Sequence, residues 1–377
     1  MICPVTVNDN RRTSIQTKPE PGQTSLLPTS IIAAVDRRLL VHVHRMESPV
    51  TDTATTAIAH KATLRLEDAL AIENALAWSR PFGDCDYILE RVRRQYESRL
   101  QMLCGQSPGA RDLINLLDTT SMQEYSRVLG DPIVRVAIDE SVSALRMNGE
   151  PFPESDLESV LAFAIDSIRN RSTVPPLADA SNLQLSLRDG HPTPWIWSEQ
   201  RRIDDSLGQM FRLLISQHHQ DFILTTPDDC ASEMFVAGAR LLSELCPRLA
   251  ESALRHVHLI AVIESKSSAN ITSMTNPRIP GVFFLSPAVL TTPWQVAEYL
   301  LHEALHVKFL DLENTHSLLV EDYYEPDSPR IRPHWNKVRS GGASEWPVNR
   351  VLTVFQVYVH LAVFFTIASA RGSVLED

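Results

Sequence analysis

Between residues 63 and 175, apolar side chains recur every three or four positions with charges between them, the repeat of helices that bury one face. LEDALAIENALAWS, DYILERVRRQYESRLQML, ARDLINLLD, SMQEYSRVL, PIVRVAIDESVSALRM and ESDLESVLAFAIDSI each carry it, with Gly or Pro at several of the joints. Residues 171–194 hold Pro175-Pro176, Pro192 and Pro194 around the alternating LQLSL, which predicts a connector with one short strand. Beyond it, SEQRRIDDSLGQMFRLLISQ and CASEMFVAGARLLSEL predict two more amphipathic helices. VHLIAVIES (257–265) and GVFFLSP (281–287) are the clearest predicted strands, flanking the polar loop KSSANITSMTNPRIP. A helix start follows. Thr292 is placed as N-cap, Pro293 as the first helical residue and Gln295 three residues after the cap, ahead of WQVAEYLLHEALHVKFLDL.

Residues 1–62 break this pattern. They are rich in Thr, Ser and Pro and predict a largely disordered arm around one short apolar element, Ile31 to Val43. His42 and His44, two apart in VHVH, read as a surface strand with no third ligand near in sequence. The expected fold is mainly α with a small β-sheet (α+β). A helical region over 63–175 leads to a zincin-like metal-binding catalytic domain over 195–377. No repeat period is evident.

At 377 residues, 44% hydrophobic and 21% charged, the chain has ordinary globular usage, which excludes collagen-like and wholly disordered classes. The net charge of −11 speaks against a nucleic-acid or anionic-membrane binder. Five scattered cysteines without a CxxC pair fit reduced thiols in a cytoplasmic protein, and the first thirty residues show no secretory signal pattern. Val351 to Ala370 is apolar and long enough to span a bilayer. Its Gln356 and His360 are costly in lipid, so a buried helix is expected and no membrane partner.

The chemistry sits in His302-Glu303-Ala304-Leu305-His306. Residues four apart stand one turn above each other on one helix face, so both imidazoles can reach a single cation. Glu303, one residue round, can accept from a metal-bound water or from a neighbouring ligand. Three completions of the motif fare poorly. The HxxGxxH extension fails because Phe309 and Leu312 occupy its Gly and third His positions, and Asp311 is one residue off an aspartate completion. Glu321 and Glu325 lie among Pro326, Pro329 and Pro333, a poor helix, and read as solvated acids. His360 remains. Arg350, Thr353, Gln356 and His360 form one polar stripe on the apolar C-terminal helix. Either the stripe closes the site as a third ligand, or His360 bonds a backbone carbonyl or Gln356 in a core network.

PGVFFLSP, LLHEALHVKFLDL and a Trp346- and Arg350-bearing loop leading into the His360 helix together resemble the HExxH-type 2-oxoglutarate-dependent peptide β-hydroxylases. These are tailoring enzymes of peptide natural-product pathways, and the likeness covers residues 110–370, with SMQEYSRVLGDPIVRVAI similar to the family's helical N-terminal part. The resemblance implies Fe(II) held by His302, His306 and a distal histidine that maps onto His360, or Gln356 if that helix shifts by a turn. It also implies 2-oxoglutarate as cosubstrate and hydroxylation of a β-carbon in a peptide, with or without a leader or carrier. Arg is the usual anchor for the cosubstrate's far carboxylate; Arg350 is the candidate, with Lys308 and Arg371 beside it. Lys308 points off the ligand face and is expected at the surface. Ser286, at the end of the strand before the metal helix, is placed to contact cosubstrate or peptide. Two alternatives stand: a zinc metallopeptidase with Glu303 as general base, and a non-catalytic metal- or peptide-binding protein.

Overall fold

The computed structural model describes residues 64–375, apart from 148–153, 173, 179–181, 187–193, 199–205, 267–270, 317, 320–326 and 333–344. The N-terminal arm with its VHVH element, and the acids Glu321 and Glu325, lie outside the described residues. Helices dominate, around one small mixed sheet. They are α1 (Leu66–Trp78), α2 (Cys85–Leu103), α3 (Pro108–Leu117), α4 (Met122–Leu129), α5 (Pro132–Met147), α6 (Glu154–Arg169), α7 (Ser206–His218), α8 (Asp229–Leu245), α9 (Pro247–Leu254), α10 (Pro293–Thr315) and α11 (Val348–Leu375). The strands are β1 (Trp195–Ile196), β2 (Phe222–Thr225), β3 (Leu259–Ser265), β4 (Ser273–Thr275) and β5 (Val282–Leu285).

Strand order is β1-β3-β5-β4, with β2 also on β3; β1, β3 and β5 run parallel, while β2 and β4 are antiparallel to their neighbours. Helices cover both faces, so β5 and the first five residues of β3, Leu259 to Ile263, are apolar at every position rather than at alternate ones. Their alternate side chains enter different cores. Leu259, Ala261, Ile263, Val282 and Phe284 join the core built from α2 to α7. Ile260, Val262, Phe283 and Leu285 join a second core with α8, α9, α10 and α11. Helix α1 belongs to this second core through Ala69, Ile72 and Ala77, so it packs with the C-terminal part of the chain.

The helix that carries the motif is the axis of the second core. Its start follows the expected grammar: the Thr292 hydroxyl accepts from the Gln295 N–H and Pro293 opens the first turn. It is buried on nearly every side, packing against α8, α9, α11 and α2. It comes close to α8 at Gly238, where a Cβ would stand 2.5 Å from Val296 Cγ1. Only a residue without a side chain lets the two helices cross there. The polar loop expected between the two main strands contains a further element, β4, which ends the sheet. The expected LQLSL strand is reduced to one isolated bridge at Gln184.

Candidate metal centre

His302 and His306 stand on the one partly open face of α10. Their Nε2 atoms are 3.2 Å apart. Two imidazole nitrogens sharing one ion at about 2.1 Å are expected about 3.0–3.4 Å apart, so the pair has the spacing of adjacent donors to a single metal. Burial pushes His306 down to about 4, with the His302 imidazole adding to this and the Glu303 carboxylate opposing it. At neutral pH its ring is uncharged and keeps a lone pair for a cation.

Glu303 is buried beside them, with Oε1 3.8 Å from His302 Nε2. Both of its oxygens are held. Ser273 Oγ donates to Oε1 at 2.6 Å and Thr275 Oγ1 to Oε2 at 2.7 Å. These hydroxyls come from alternate residues of β4 and so point to the same face, toward α10. The sequence reading treated them as part of a polar loop. The spacing Ser-x-Thr was the available signal, but only pairing with β5 turns it into a clasp on the motif glutamate.

Among the described residues His360 is not gathered with the pair into a three-residue metal group. Its Nδ1 donates to the Gln356 carbonyl at 2.7 Å along its own helix, and burial pushes it down to about 3, with the Lys308 charge adding to this. Lys308 follows His306 by two residues, about 200° round the helix, and so leaves α10 on the side away from the donor face. Among the described residues no group of three or more His, Cys, Asp or Glu side chains is gathered as a metal site. The polar stripe expected on α11 is satisfied locally: Thr353 Oγ1 donates to the Asn349 carbonyl, as His360 does to that of Gln356. In a helix a hydroxyl or imidazole can spend its proton on the preceding turn, so a polar stripe need not face a partner.

The other candidates also resolve. Lys308 is not at the surface. It is fully buried, its Nζ donating to the Gly83 carbonyl (2.9 Å) and to Ser252 Oγ (2.6 Å), and burial pushes it down to about 8. Arg350 is exposed and stacks over the Trp346 ring, 4.6 Å from its centroid. Arg371 Nη1 donates to the Glu244 and Leu245 carbonyls and so caps the end of α8. The Ser286 side chain accepts from the Ala288 N–H and starts a short 3₁₀ turn, while its own N–H donates to the Thr272 carbonyl.

Asp311, passed over as a ligand, anchors the far end of α10. Arg135 Nη2 of α5 donates to its Oδ1 at 2.7 Å, and His256 Nδ1 donates to its Oδ2 at 2.8 Å, all three groups being buried. Burial alone would raise its carboxyl, but the Arg135 charge and the two hydrogen bonds outweigh that and hold it at about 2. No family model matches the chain, and no curated protein matches it in sequence.

Proposed function

We propose that this protein is an Fe(II)- and 2-oxoglutarate-dependent oxygenase that hydroxylates a side-chain β-carbon of a peptide, in peptide natural-product tailoring. In this reading His302 and His306 are the two protein donors to iron, and the helix that carries them, beside an edge strand, is taken as a zincin-like setting; their 3.2 Å Nε2 separation supports it. Neutral imidazoles with open positions around them suit Fe(II) oxygen chemistry. When bound, iron and 2-oxoglutarate supply the oxidising equivalent, consuming dioxygen and keto acid to give succinate, CO₂ and the hydroxylated peptide.

The observation that carries this reading over peptide hydrolysis is the double tether of Glu303. A hydrolytic base has to take a proton from the attacking water. Here each Glu303 oxygen accepts a hydroxyl proton from β4, which fixes the carboxylate and lowers its basicity, so the residue is read as orienting and screening the donor pair. The remaining protein contribution is exclusion of water, since α10 is buried on all but the donor face. Zinc-dependent peptide hydrolysis is the second reading, favoured by the 3.8 Å approach of Glu303 to His302. A cytoplasmic setting agrees with Cys85, Cys104, Cys230 and Cys246 being free thiols. Helix α11 is long and apolar enough to cross a membrane, but half of its apolar window is buried against the protein.

The test is direct. Protein purified without oxygen and supplied with Fe(II) and 2-oxoglutarate should form succinate when dioxygen is admitted, and His302→Ala should abolish it. Zinc-dependent peptide cleavage without succinate would establish the peptidase, and failure to bind either metal would leave a binding protein.

A further inference from the structure

Asp311 leaves α10 about 180° round from His302, so the Arg135 that pairs with it lies on the side of the helix away from that imidazole. Arg135 lines a cavity of about 50 Å³ enclosed by α2, α4, α5 and the chain leading from α9 into β3. Leu89, Arg93 and Ser126, partly exposed, form its mouth, and the buried Tyr96, Gly130 and Arg135 form its floor. Arg255 and His258 complete the wall. Three arginines therefore line the cavity, and among the described residues no acid does.

The two inner guanidinium groups have donors to spare. Arg135 Nη2 donates to Asp311, while Arg255 donates through Nη2 to Asp86 and through Nη1 to Cys85 Sγ. The Nε–H of each is buried and has no acceptor among the described residues. A buried donor without an acceptor is costly, and an oxyanion beside the two arginines removes that cost. The His258 ring occupies the space a side chain at residue 130 would need: a Cβ on Gly130 would lie 1.6 Å from its Cε1. Glycine there lets the imidazole reach the cavity wall. Burial pushes His258 down to about 3, with the Arg135 charge adding to this and the Asp311 carboxylate opposing it. At neutral pH the ring thus offers one N–H and no charge.

We propose that this cavity binds a small carboxylate, its head group held by Arg135, Arg255 and His258 and a tail of one or two carbons lying against Leu89, Val92 and Leu129. The volume fits, being about three to five water-sized groups. The planar fork of arginine matches a carboxylate. Each lining arginine already faces one acid outside the cavity, Asp311 for Arg135, Asp86 for Arg255 and Glu90 for Arg93. A single added charge is therefore better balanced than the double charge of phosphate, which would also lose more hydration against the apolar walls.

The test titrates sodium propionate into the metal-free full chain and follows backbone amides by NMR at constant ionic strength. The Gly130 and Ser126 amides should shift and saturate, with a midpoint of about 1–10 mM, in range for a ligand of about five heavy atoms. Propionamide, of equal size but uncharged, and inorganic phosphate should each bind about tenfold more weakly. Ser126→Phe fills the mouth without touching the buried network and should abolish the response. Arg255→Gln should weaken binding about tenfold; if that variant fails to fold, Ser126→Phe and propionamide decide. No saturable shift with propionate, equal binding of propionamide, tighter binding of phosphate, or shifts that persist in Ser126→Phe would overturn the carboxylate site. None of these measurements depends on iron or succinate, so the site stands or falls apart from the oxygenase reading.

Discussion

Asp311→Ala is expected to be among the most damaging single substitutions in the chain. The carboxylate and the Arg135 guanidinium are each about 3% exposed, so removing one leaves the other charged in a site without water. Breaking a buried ion pair from one side costs about 3–5 kcal/mol. The His256 Nδ1–H would also lose its acceptor, a further cost of about 1–3 kcal/mol unless the ring reorients. Arg135→Met should cost a comparable amount for the mirror reason. The double variant Arg135→Met/Asp311→Leu removes both charges and fills the space, so it should be at least about 2 kcal/mol more stable than the summed single losses imply. Urea unfolding at pH 7, followed by far-UV circular dichroism and tryptophan fluorescence, measures all four proteins. The pair also has a pH signature. Asp311 is held at about 2 when folded, against about 3.9 unfolded. Its stabilisation is complete above about pH 4 and is lost as pH falls through about 2; a shift of roughly two units is worth about 2–3 kcal/mol. The penalty of Asp311→Ala should shrink accordingly in acid. Additive single losses at pH 7, or a single loss under about 1 kcal/mol, would refute the view that this buried network holds α10 to α5 and the start of β3.

Metal content after Fe(II) loading and desalting should be lost in His302→Ala and in His306→Ala but kept in His360→Ala, because His360 is not gathered with the pair among the described residues; iron lost equally in all three would place His360 at the ion. Gly238→Ala should lower stability by about 1–3 kcal/mol in the same urea assay, since its methyl would meet Val296 Cγ1 at 2.5 Å across the α8–α10 contact. His360, at about 3 when folded, makes the unfolded chain the stronger proton binder below about pH 6.5. Stability should therefore fall as pH drops from about 6.5 toward 3, by up to about 1.4 kcal/mol per unit from this residue, and His360→Leu should flatten that slope.

Much of the chain's local structure was legible before its fold. The Thr292–Pro293–Gln295 start of α10, the helices over 63–175 and the strands around Val262 and Phe284 rest on capping and periodicity, which act within a few residues. The four-residue spacing of His302 and His306 likewise places both rings on one helix face without knowledge of anything else. The side chains that meet them depend on where other elements pack. Lys308 reads as a surface residue from its angle on α10, yet the Gly83 carbonyl and Ser252 Oγ enclose its ammonium from α2's approach and from α9. His360 reads as a partner for the pair from its stripe, yet its Nδ1 donates to the Gln356 carbonyl on its own helix and it is not gathered with the pair among the described residues.

What the sequence determined by itself is a mostly helical chain with one helix presenting two imidazoles on one face, because helix period and capping are properties of neighbouring residues. What only the tertiary structure decided is which hydroxyls hold Glu303, which charges hold Asp311 and which face of α11 meets α10. Those contacts join residues from 28 positions apart, for Thr275 and Glu303, to 176 apart, for Arg135 and Asp311. They are set by strand register and helix rotation, and a one-residue slip of β4 would turn both of its hydroxyls to the opposite face of the sheet.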